Sequence, residues 1–90
     1  MAVATFEKDP EANLDYAIDW SEWLGEDILI DSQWVVEEGL SLGSDSHTDT
    51  IATVWISGGT HQSRYEATNT IVTAGGRIDE RTIRIKCKHK

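Results

Sequence analysis

The stretch Leu14-Asp15-Tyr16-Ala17-Ile18-Asp19-Trp20 alternates without a break. Leu14, Tyr16, Ile18 and Trp20 share one parity, and the acids Asp15 and Asp19 fall on the other. Successive side chains of a strand point to opposite faces, so period two over seven residues predicts a half-buried strand. The same arithmetic holds at the far end of the chain. From Arg81 to Lys88, Ile83, Ile85 and Cys87 point one way, and Thr82, Arg84, Lys86 and Lys88 the other.

Between these two anchors the pattern repeats. Thr50–Ser57 is rich in β-branched residues around Val54-Trp55-Ile56, which favours a strand. Asp27–Val36 places Ile28, Ile30, Ser32, Trp34 and Val36 on one parity, with a break or bulge near Asp31-Ser32. Leu40 and Leu42 suggest a short strand before Gly43-Ser44-Asp45-Ser46-His47, which reads as a turn. Tyr65–Thr73 sets Tyr65, Ala67, Asn69 and Ile71 on one side. Gly58-Gly59-Thr60 and Ala74-Gly75-Gly76-Arg77 are turns. Ser21-Glu22-Trp23-Leu24 is one helical turn, with Ser21 as its cap and Gly25 as its end.

Six or seven short strands separated by turns predict an all-β fold, an immunoglobulin-like antiparallel β-sandwich over residues 14–90. Tyr65, opening the penultimate strand after a loop, fits a corner tyrosine bonded to nearby backbone. The single cysteine rules out an antibody-type Cys…Trp…Cys pattern. Residues 1–13 are polar, hold the one proline, Pro10, and offer Val3 and Phe6 as anchors. They read as an extended N-terminal arm, of the kind that orders on a partner.

Composition bounds the function. Ninety residues, 39% hydrophobic, make one thin-cored domain with no room for a cleft between domains. The net charge is −8. Residues 1–50 carry thirteen acids and one base, Lys8, whereas residues 51–90 carry three acids and seven bases. An acidic chain repels phosphate backbones, which argues against nucleic acid. No apolar run is long enough for a membrane helix, and Met1–Asp9 lacks the basic and apolar regions of a signal peptide. Arg84, Lys86 and Lys88 share a strand face, and two readings stand. The face is solvated, or it docks an acidic protein surface, including the acidic half of a neighbouring copy in a head-to-tail ring.

Reactive constellations are weak. Asp45, His47 and Asp49 have the alternation of a metal triad but sit in turn-forming sequence. Asp15, Asp19, Glu22, Glu26 and Asp27 cluster without the spacing of a calcium loop and read as a solvated acidic face. His61 and His89 are isolated, and Cys87 has the parity of a buried hydrophobe. No nucleophile-elbow, zinc-protease or phosphate-loop motif occurs. The expectation is no enzyme, with no catalytic, cofactor-binding or metal residues and no small-molecule substrate. Of the four tryptophans, Trp20, Trp34 and Trp55 are expected in the core, and Trp23 is the candidate exposed anchor.

One string of short pieces carries a resemblance. It runs Lys8-Asp9-Pro10, Leu14-Asp15-Tyr16, Ile18-Asp19-Trp20-Ser21, Trp23-Leu24-Gly25, Asp27-Ile28, Ser32 and Trp34. It continues through Thr53-Val54-Trp55-Ile56-Ser57-Gly58-Gly59-Thr60, Tyr65, Thr68-Asn69, Ile71, Thr73, Gly76-Arg77, Asp79 and Arg81-Thr82. In this order, over roughly residues 8–88, the chain resembles phage fiber-tail adaptor proteins. The resemblance implies a structural virion protein of the neck or tail region, assembled in the host cytoplasm. Its implied partners are other virion proteins (the portal-adaptor ring, the tail tube, the tail fibre), with several copies around the tail axis. It implies no catalytic residue or cofactor. The competing reading is a stand-alone carbohydrate-binding or adhesin-like sandwich, which requires exposed tryptophans on one face.

Overall fold

The computed structural model describes residues 2–88, without the side chains of Ala2 and Val3. It contains β1 (Ala2–Lys8), β2 (Leu14–Asp19), α1 (Ser21–Leu24), β3 (Leu29–Val36), β4 (Leu40–His47), β5 (Ile51–Gly58), β6 (Arg64–Thr73) and β7 (Ile78–Cys87). The strands form a four-stranded sheet, β1-β7-β6-β3, and a three-stranded sheet, β2-β5-β4. Every pair is antiparallel except β1 with β7, which is parallel. The alternating residues place the core between the sheets. Tyr16 and Ile18 of β2 and Val54 and Ile56 of β5 face Ile71 of β6 and Ile83 and Ile85 of β7, and all are buried. The resulting fold is a β-sandwich, and Cys87 is a free, buried thiol within it.

The N-terminal segment differs from its expected form. Among the described residues no extended arm is shown: residues 2–8 are the edge strand of the four-stranded sheet. Ala4, Phe6 and Lys8 take the inward parity, and the Phe6 ring lies 5.2 Å from that of Tyr16. Lys8 is fully buried, and its ammonium donates to the carbonyls of Gly58 (2.7 Å), Asp9 (2.9 Å) and Pro10 (3.5 Å). The alternation of β1 is hard to see because one inward position is an alanine and another a lysine. The anchoring expected of Val3 lies outside the described side chains, and His89 outside the described residues.

Two bulges shift the expected parities. The register slips between Leu29 and Asp31, so Leu29 turns inward while Ile28 and Ile30 are left exposed. A second slip between Leu42 and Asp45 carries β4 through the Gly43–His47 segment, which is a strand and not a turn. The reversal falls at Thr48, whose hydroxyl accepts the backbone N–H groups of Thr50 and Ile51. Tyr65 behaves as a corner tyrosine, its hydroxyl accepting the Thr60 N–H at 3.1 Å.

Candidate functional site

The helical turn α1 and the β6–β7 turn are locked together by one basic side chain. Trp20 precedes α1 and is fully buried, not a strand residue as its parity suggested. Ser21 is the first helical residue rather than the cap; the Asp19 carboxylate accepts its N–H at 2.9 Å. Arg77 donates to the Trp23 carbonyl at 3.4 Å and to the Leu24 carbonyl at 3.0 Å, which also accepts the Asp27 N–H at 3.1 Å, so it covers the carbonyl end of α1. Its guanidinium lies 4.1 Å from the Trp23 ring centre and pairs with Asp27 at 3.2 Å. Arg81 covers Trp20 in the same way, at 4.2 Å. Trp23 also meets Trp20 edge to face at 5.3 Å. Trp23 is therefore half-buried within the fold and is not the free anchor expected of it.

The acidic cluster is dispersed. Asp27 accepts the N–H groups of Ile28 (2.9 Å) and Gly75 (3.0 Å) and belongs to the lock. Bonding from the Thr73 hydroxyl, with these N–H groups and Arg77, holds its carboxyl down from 3.8 to about 2. Asp19 is held low chiefly by the Ser21 N–H. Both carboxyls are depressed on folding, so both favour the folded state above the ordinary carboxylate range. That contribution is lost as the pH falls from about 4 towards 2. Unfolding in urea at stepped pH is expected to give a falling midpoint through this window, and Asp27→Asn should flatten the fall. An identical pH slope in the variant would remove Asp27 from the account.

Asp45 and His47 lie on β4 and Asp49 beyond it, and His47 Nδ1 sits 2.9 Å from the Thr48 carbonyl oxygen. Among the described residues no group of three His, Cys, Asp or Glu could hold a metal ion.

The exposed aromatic is Trp55. It is 41% exposed, whereas Trp20 and Trp34 are buried. Its neighbours on β5, Val54 and Ile56, point inward, so Trp55 stands on the outer face of the three-stranded sheet. Asp15 is its cross-strand partner on β2. On the β4 side Gly43 lets the two strands approach closely: a Cβ there would lie 3.2 Å from the Trp55 Cβ and 3.3 Å from its carbonyl oxygen. The inward run Ala52, Val54, Ile56 carried the signal for this position. It was missed because a tryptophan's size suits a core, although the residues of its own parity on either side, Thr53 and Ser57, are polar.

The opposite outer face carries the second feature. Where β1, β7 and β6 end together, a cleft of about 230 Å³ is lined by Glu7, His61, Gln62, Ser63 and Arg64, together with Lys86, Cys87 and Lys88. Of the basic strip, Arg84 is engaged with Glu66 at 3.4 Å, while Lys86 and Lys88 border the cleft. The site thus consists of two surfaces, an aromatic–acidic one and a basic one.

The model of the family described as podophage GP4 fiber-tail adaptor protein gp77 matches residues 8–86. The chain belongs to this family, and it is accordingly a structural component of a phage virion. No curated protein matches it. The matched span opens at Lys8 and includes the Trp20–Asn69 contact and the Arg77 lock. The pieces that carry the resemblance are thus largely those that hold the sandwich shut.

Proposed function

We propose that the chain links the tail or the portal-adaptor ring of the phage particle to the tail fibres, in several copies around the tail axis. Assembly takes place in the host cytoplasm, and the contacts are with virion proteins alone: no nucleic acid, membrane or small-molecule substrate. The family match over residues 8–86 is the observation that carries this reading. The surfaces support it, because Trp55 offers an uncovered aromatic anchor on a sheet of small and polar side chains. Phage deprived of this chain should yield particles that package DNA but lack fibres, seen by electron microscopy, and supplying the chain should restore them. Fully fibred particles without it would end the proposal.

A sugar-binding or adhesin-like module is the second reading, and the exposure of Trp55 is what favours it. Against it, the other three tryptophans are buried or built into the fold. A shift of Trp55 fluorescence on titration with glycans, absent in Trp55→Phe, would move the balance to that reading.

A further inference from the structure

We infer that the two surfaces bind each other between neighbouring copies: the cleft edged by Arg64, Lys86 and Lys88 on one copy receives the Trp55–Asp15 surface of the next. The inference deepens the multi-copy reading and rests on it in one respect, that copies stand side by side.

Charge and placement argue for it. The cleft carries Arg64, Lys86 and Lys88 against one acid, Glu7. Among the described residues neither ion pair uses any of these three bases. The receiving surface carries Asp15 beside Trp55, with Asp19 at the next outward position but one along β2. The two surfaces lie on opposite outer faces of the sandwich, so they cannot meet within one molecule. A two-fold pair through either surface would set like charge on like. Head-to-tail contact is the arrangement that joins unlike patches of identical chains, and repeating it leads to a ring or a filament.

The chemistry of the contact already occurs twice inside the molecule. Arg77 lies on Trp23 with the Asp27 carboxylate beside it, and Arg81 lies on Trp20. Trp55 presents a third indole with a carboxylate at its cross-strand position, and no cation covers it among the described residues. A guanidinium or ammonium stacked on that ring and paired with Asp15 would reproduce the internal contacts. Arg64 is the group in the cleft best shaped for it.

The overall charge of −8 opposes association at long range. At about 0.1 M salt, charges more than about 10 Å apart are largely screened, and a close complementary contact is screened less. The test is sedimentation of the purified full chain, up to about 1 mM, where contacts of millimolar affinity are read. Wild type should form assemblies larger than a dimer at about 0.1 M salt, and these should dissolve at about 1 M. Asp15→Lys, and the double variant Lys86→Glu with Lys88→Glu, should each remain monomeric. Mixed in equal amounts they should associate again, because each keeps one intact surface. Trp55→Ala should also be monomeric. All these positions are exposed, and circular dichroism verifies folding. A wild type that stays monomeric throughout, or assemblies indifferent to both charge variants, would overturn the inference. Fibre attachment to particles is a separate readout, so the adaptor role can survive that outcome.

Discussion

Replacing Asn69 by alanine is expected to destabilise the fold by about 3–4 kcal/mol in urea unfolding. Asn69 is fully buried. Its Oδ1 accepts the indole N–H of Trp20 at 3.0 Å. Its Nδ2 donates to the Ser32 hydroxyl at 2.9 Å and to the Gln33 carbonyl at 3.1 Å. One side chain thereby joins the segment after β2 to β3 and β6, across the gap between the sheets. Alanine would strand the Trp20 N–H and the Gln33 carbonyl, each at about 1–3 kcal/mol, and leave a small cavity. A 90-residue domain has total stability near the lower end of about 5–15 kcal/mol, so this loss is large. The contact can be isolated by a cycle with Trp20→Phe. Once the indole N–H is gone, Asn69→Ala should cost at least about 1 kcal/mol less. Additive effects would show that Asn69 acts through packing alone. The fold has little reserve of this kind, because Tyr16 Oη and Trp34 Nε1 are buried with no partner among the described residues.

The reading of single strands from the sequence succeeded wherever alternation was carried by large apolar residues. Tyr16 and Ile18, Ile83, Ile85 and Cys87 all point inward as their parity predicts. It failed where one residue changed the count. The bulge at Ile30 falls beside the break expected near Asp31-Ser32, whereas that beyond Leu42 lies in a Gly-Ser-Asp segment that reads as a turn; each shifts the period by a residue. Contacts across long sequence separations were equally out of reach. Trp23 looked exposed because its cover, Arg77, lies 54 residues further on. Trp55 looked buried because its type suits a core, although Val54 and Ile56 beside it had already taken the inward face.

Lys8→Ala is expected to cost about 3 kcal/mol, and Lys8→Met about 1 kcal/mol or less. The contrast separates the two parts of a buried lysine. Alanine removes three methylenes from a fully buried site, at about 0.8 kcal/mol each. It also removes the ammonium bonds to the Gly58, Asp9 and Pro10 carbonyls. Methionine keeps most of the stem and loses only those bonds. That loss is offset, because a buried ammonium with no ion-pair partner among the described residues carries a desolvation cost of several kcal/mol. The bond to Gly58 ties β1 in one sheet to the end of β5 in the other. Trp20, whose backbone N–H donates to the Thr50 carbonyl, stands at the opposite end of β5. The sandwich is thus tied across its two sheets at both ends, by Lys8 at one and Asn69 at the other. For that reason residues 2–8 are built into the sandwich. If the two Lys8 variants prove equally unstable, the ammonium bonds hold β1 in place. If both match wild type, β1 is held by Phe6 and its backbone pairing with β7, and Lys8 is a passenger in the core.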